Sequence, residues 1–112
     1  MRVTRSSSPF GSRTRTQCLL ALQALGESYA RELARVLHLR LSGIQKALRS
    51  LEADGLIAGR SVGRLRLYRL NPRAYARVEL ERYLERLLDS DLDLRESVAA
   101  MRRRPRRTGK PL

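Results

Sequence analysis

The stretch from Tyr29 to Leu70 constrains the fold more than any other: two short amphipathic patterns, a tight connection between them, then an alternating run studded with arginine. The first pattern predicts a helix from about Ser28 or Tyr29 to His38, with Leu33, Ala34 and Leu37 inward and Arg31, Glu32 and Arg35 outward. After Leu39-Arg40-Leu41, Ser42 is a strong N-cap. The helix it opens runs to about Asp54, where Gly55 stops it. Ile44, Ala47, Leu48 and Leu51 recur there at the spacing of a buried stripe, so Gly43, Gln45, Lys46, Arg49 and Ser50 face outward. A turn around Ser61-Val62-Gly63 then joins Leu56–Arg60 to Arg64–Leu70, which alternates as a strand does. A two-stranded ribbon is marginal alone, so Leu65 and Leu67 are expected to pack on the helices while Arg60, Arg64 and Arg66 project.

The flanks complete a mainly α chain with one small β-hairpin. Residues 1–11 mix Ser, Arg, Pro and Gly without periodicity and read as a basic arm held at most by Phe10. Ser12 caps a first helix from about Arg13 to Leu25, with Gly26 as its stop. Cys18, Leu19, Leu22 and Leu25 share one face, but Leu20, Ala21 and Ala24 make other faces apolar too, so this helix needs two partners. The second is either the C-terminal helix or another subunit. Asn71-Pro72 predicts a helix start, with Asn as N-cap and Pro at N1. Ala76, Leu80, Tyr83 and Leu87 then form a stripe running to about Leu88, widened by Tyr75, Leu84 and Leu88. A three-helix core does not need that stripe, so Leu20, Ala76, Leu80, Tyr83 and Leu87 are the expected dimerisation residues. A weaker final helix over Asp89–Met101 uses Leu92, Leu94, Val98 and Met101, with Asp91 and Asp93 favourable at its start. The expected divisions are an arm at 1–11, a binding domain at 12–71, a helical dimerisation segment at 72–101 and a disordered basic tail at 102–112.

The charge is distributed unevenly over the 112 residues. The formal net charge is +13, a field that draws the chain to polyanions, nucleic acid first and anionic membrane second. Residues 1–71 carry a net +9, 72–101 a net −2, and 102–112 a net +6. The helical segment is therefore nearly neutral and free to meet another protein. Arg outnumbers Lys 22 to 2, and guanidinium groups suit bidentate contacts to phosphate and guanine; codon bias from a GC-rich genome gives the same excess.

A single cysteine, Cys18, and a single histidine, His38, exclude an internal disulfide and a Cys/His metal cluster within one chain. Cys18 reads as a small core residue. The start lacks the apolar stretch of a secretory signal and no run reaches the length of a membrane span, so a soluble, cytoplasmic protein is expected. No Gly-rich phosphate loop or catalytic constellation is present, so neither an enzyme nor a cofactor is expected.

The ordered set "SRTRTQCLLALQAL", then "YARELARVLHLRLSGIQKALRSLEADGLIAGRSVGRLRLYRLNP", is similar to the winged helix-turn-helix repressors of the ArsR and MarR type, over about residues 12 to 72. Its closest flavour is that of small stand-alone winged-helix proteins, often encoded near nucleotidyltransferase-like genes. The resemblance implies a recognition helix placing Ser42, Gly43, Gln45, Lys46 and Arg49 in a DNA major groove. Gly43 would let the backbone approach phosphate. Gln45 suits adenine, and Arg49 or Lys46 suits guanine, each good bidentate contact contributing about 1–3 kcal/mol of discrimination. Arg60, Arg64 and Arg66 resemble wing residues that follow the backbone or enter a narrow minor groove. Arg13, Arg15 and Arg40 would be phosphate clamps that position without specifying. The chain departs from the metal-sensing members, having no Cys-x-Cys pair in these helices. Asp89, Asp91 and Asp93, without histidine, read as a helix-capping patch.

The expectation is a homodimeric, sequence-specific regulator of transcription that binds double-stranded DNA and represses by occluding a promoter. Two alternatives stand beside it. One is a nucleoid-associated architectural protein whose arm and tail supply most of the affinity; the other is a protein-interaction module for a partner such as a nucleotidyltransferase-like protein.

Overall fold

A computed structural model describes residues 10–74 and 76–103. The elements run α1 (Arg13–Leu25), β1 (Ser28–Tyr29), α2 (Ala30–Leu37), α3 (Leu41–Ala53), β2 (Ile57–Val62), β3 (Leu65–Leu70), α4 (Arg77–Asp89) and α5 (Leu92–Arg103). The described residues are thus mainly helical with one small antiparallel sheet of three strands in the order β1-β3-β2. Residues 1–9 of the expected arm, Tyr75 of the expected helical stripe and residues 104–112 of the expected tail lie outside the described residues.

Helix α1 starts as its sequence predicts, because Ser12 is extended and its side chain accepts a hydrogen bond from the Arg15 N–H. It ends at Gly26, whose φ of 88° suits a residue without a Cβ. Cys18, Leu19, Leu20, Ala21 and Leu22 are all 2% exposed or less, five consecutive residues and hence more than one full turn. Such a helix is enclosed on every side. Helices α2 and α3 and strand β3 cover one flank, and α4 and α5 of the same chain cover the other. Leu20, expected at a subunit contact, is therefore a correction: its surface is already used within the chain. Burial also pushes the Cys18 thiol up to about 12, which keeps it protonated at neutral pH.

The helix expected from Ser28 or Tyr29 begins only at Ala30. Ser28 and Tyr29 instead pair with Tyr68 and Leu67 of β3, giving the hairpin the third strand it needs for stability. Glu32, expected outside, is 4% exposed, and its carboxylate accepts a hydrogen bond at 2.6 Å from the Ser28 hydroxyl. A carboxylate at the third helical position is well placed against the positive helix end, which favours this inward arrangement. Leu33 and Val36 carry the apolar side of α2, and His38 closes the helix in a left-handed conformation with φ 58°.

The C-terminal segment departs further from expectation. Asn71 does not cap a helix: its amide donates to the Gly55 carbonyl and its oxygen accepts from the Arg73 N–H. The side chain is engaged in tying the end of β3 to the end of α3, so the helix starts later, after Ala76 at φ 58°. Leu84, at 0% exposed, is the fully buried residue of α4, whereas Leu80 and Leu87 are half-buried in the chain. Ala76 is exposed and Tyr83 is 45% exposed, meeting Phe10 edge-on at 5.9 Å between ring centres. Asp91 caps α5 through its carboxylate, which accepts from the Leu94 N–H at 3.1 Å. Leu94 and Val98 are buried, while Leu92 is 66% exposed. Helix α5 continues through Arg102, expected in the tail, and that guanidinium donates to the Ala24 carbonyl at the end of α1. No described helix is long and apolar enough to cross a membrane.

Candidate nucleic-acid interface

The rotation of α3 is set by its core side. Ile44, Leu48 and Leu51 are 0% exposed and Ala47 is 6% exposed, and burying each large aliphatic side chain contributes about 1.5–3 kcal/mol. That stripe leaves Ser42, Gly43, Gln45, Lys46 and Arg49 exposed together. Ser42 itself is not the N-cap: the cap position falls on Arg40, which makes no side-chain capping bond, and Ser42 lies in the first turn. A Cβ at Gly43 would meet nothing within 4 Å, so its backbone is open to solvent.

Strands β2 and β3 pair from Ile57↔Leu70 to Val62↔Leu65, so the turn is Gly63-Arg64 rather than Ser61-Val62-Gly63. Gly63 has φ 62° at the first central position, as in the type II′ turns that match strand twist. Arg64 thereby sits at the tip. The face expected to pack inward is also reversed. Tyr68 is 8% exposed and lies on the face of Ile57 and Leu70, whereas Leu65 is 45% exposed. Aligning Leu70 with Ile57, both apolar ends of the hairpin, would have revealed this parity; Leu65 and Leu67 concealed it.

Reversing the face changes what the three hairpin arginines do. Arg66 shares the inward face with Tyr68 and lies with its guanidinium carbon 5.8 Å from that ring centre. It reaches α3, donating to Glu52 at 2.6 Å. Glycine at position 59 makes room, since a Cβ there would lie 2.8 Å from the Arg66 Nε. On the other face, Arg60 forms a two-pronged pair with Glu27 at 3.1 and 3.2 Å. That hydrogen bond holds the Glu27 carboxyl below its ordinary range and raises Arg60, as Glu52 raises Arg66. Arg64 is exposed and pairs with no described residue.

Of the three expected phosphate clamps, Arg15 is a correction. Its side chain is 16% exposed, pairs with Asp54 at 2.8 Å, and donates to the Ser50 hydroxyl and the Phe10 carbonyl. It fastens α1 to the far end of α3. Arg13 and Arg40 are exposed, without ion pairs among the described residues.

Between the outward face of α3 and the hairpin lies an open groove of about 560 Å³, with Tyr29, Arg31, Gln45, Arg49, Arg64 and Tyr68 among its lining. Arg31 and Glu52 are the residues that sequence reasoning missed. In the sequence Arg31 reads only as an outward residue of its helix, and its signal is its position one residue into α2, beside β1. Lys46, Arg49, Arg64 and Arg31 have no ion pair or hydrogen bond to a described side chain. The groove thus gathers the unpaired guanidinium groups of Arg31, Arg49 and Arg64, the Arg66–Glu52 pair, an amide and two phenol rings, a net basic chemistry suited to phosphate and base edges. Among the described residues no group of His, Cys, Asp or Glu could hold a metal ion. Compared with protein-family models and with curated proteins, the chain matches none.

Proposed function

We propose that this chain is a winged helix-turn-helix protein that binds double-stranded DNA in a sequence-specific manner and regulates transcription, as a homodimeric repressor. The observation that carries the reading is the unpaired basic face that α3 shares with the hairpin tip. Helix α3 is the recognition helix, with Gln45, Lys46 and Arg49 reading base edges in the major groove. Arg64 is the wing residue that meets the backbone or the minor groove. Arg13, Arg31 and Arg40 supply positioning contacts to phosphate. The subunit contact uses the exposed side of α4 around Ala76 and Tyr83, in a segment whose net charge of −2 spares two copies the repulsion of their basic faces. Two-fold symmetry then sets half-sites about one helical turn apart.

The test is retention of genomic DNA fragments by the purified protein at near-physiological salt, followed by sequencing. Enrichment of a short inverted repeat is the expected result. Uniform retention would replace the regulator with an architectural protein, and no retention would leave the protein-partner role.

A further inference from the structure

The hairpin tip carries an arrangement that base reading by α3 does not use. Val62 and Leu65 are direct cross-strand partners flanking the Gly63-Arg64 turn, so their side chains lie together on one face. They are 43% and 45% exposed, while Ile57 at the root of the same hairpin is 1% exposed. The tip is therefore apolar and uncovered, with Arg64 exposed between the two residues. No Asp or Glu occurs from Gly55 to Val78, so nothing along the hairpin repels a polyanion. The hairpin is braced on both faces just below the tip pair, by Arg66 to Glu52 one register position away and by Arg60 to Glu27 the next.

Resting on the DNA-binding reading above, we propose that the Val62–Leu65 pair is a wedge that enters the DNA minor groove, partly unstacks a base step and bends the duplex. Arg64 draws the tip to the groove, where negative potential is concentrated. Leu65 supplies the apolar surface inserted between base pairs, and Val62 buttresses it from the opposite strand. Proteins that bend DNA in this way insert aliphatic or aromatic side chains and kink the duplex by about 20–90°. A hairpin that pushes on stacked bases must not fold back, and the two ion pairs just below its tip oppose that movement. The cation-and-apolar pairing fits the minor groove of a duplex, where phosphates and acceptor base edges attract the guanidinium and the deoxyribose walls and the faces of an opened base step receive the apolar side chains.

The test is ligase-catalysed ring closure of a linear duplex of about 120 bp, below the persistence length of about 150 bp, with a mobility-shift titration on the same fragment. Saturating wild-type protein should speed closure by about tenfold or more. The Val62→Ser, Leu65→Ser double variant changes only exposed side chains; it should bind within about threefold of wild type and lose the acceleration. Leu65→Met, which keeps an apolar side chain, should retain it. Wild-type binding without faster closure would overturn the wedge and leave DNA binding intact, as would a double variant that closes rings as fast as wild type. A change in sedimentation from dimer to monomer in the double variant would make the pair a subunit contact instead. Absence of any mobility shift would remove the DNA-binding reading and the wedge with it.

Discussion

The two halves of α3 put the same kind of surface to opposite uses. From Leu41 to Arg49 the helix exposes Ser42, Gly43, Gln45, Lys46 and Arg49, has no acidic residue, and leaves its first turn without a side-chain cap. From Ser50 to Asp54 its polar groups are engaged: Ser50 and Asp54 hold Arg15 from α1, and Glu52 holds Arg66 from β3. Carboxylates near a helix C-terminus oppose the helix dipole, and the two guanidinium groups offset that cost. The difference teaches that a net charge of +13 is not a uniform resource. An arginine within reach of a carboxylate fastens the fold, and one without a carboxylate is available to a ligand.

The largest effect should come from reversing charge on the open half. Lys46→Glu together with Arg49→Glu should weaken duplex binding by about a hundredfold or more and lower the salt slope by about 2 if both touch phosphate. The thermal midpoint should stay within about 2 °C, since exposed substitutions away from special features change little. Anisotropy titrations over a salt series, with a melting curve, check both parts. Equal loss of binding and stability would break the division between the halves.

The next effect belongs to the closed half. Arg15→Ala should cost about 1–2 kcal/mol in urea unfolding, because it removes bonds to Ser50 and the Phe10 carbonyl from a mostly buried guanidinium. The Asp54 carboxylate is 55% exposed and adds little. DNA affinity measured well below the melting range should be unchanged; a strong loss would return Arg15 to the DNA contacts.

Glu52→Gln sharpens the comparison, since it should move Arg66 from one class to the other. Stability should fall by less than about 1 kcal/mol. Duplex affinity should rise and the salt slope steepen by about 1 as the freed guanidinium finds a phosphate. An unchanged slope would mean that Arg66 stays folded over Tyr68 without Glu52.

The smallest effect concerns Glu27, whose carboxyl is held below its ordinary value of 4.5 by Arg60. A depressed folded-state value stabilises the fold above the ordinary value, and that contribution is lost as pH falls through the lowered one. Glu27→Gln should therefore leave stability at pH 7 nearly unaltered after screening and flatten a small part of the acid limb below pH 4.5. Urea midpoints at pH 7, 5 and 3.5 would detect it: the variant's small deficit at pH 7 should shrink as pH falls, and a deficit that stayed the same or grew in acid would contradict the pairing.

Several of these assignments could be read before folding and others could not. The outward set on α3 follows from its apolar spacing, because a helix that buries Ile44, Leu48 and Leu51 has no freedom to rotate. The end of α1 at Gly26 and the capping role of Asp91 were legible for the same local reason. Strand parity was not: Leu65-Arg66-Leu67-Tyr68 offers two faces, and Ile57, well upstream, decides between them. Nor was the start of α4, since Asn71 has the signature of a cap and uses its side chain to close on Gly55.

The sequence by itself determined the extent of α1, the outward face of α3 and the excess of positive charge, because those depend on side-chain period, caps and composition within a few residues. Only the tertiary structure decided which arginines are free. Arg15 meets Asp54 across 39 residues, Arg60 meets Glu27 across 33, and Arg66 meets Glu52 across 14. Ion pairing depends on distance in space, and the packing of α1, α3 and the sheet sets those distances.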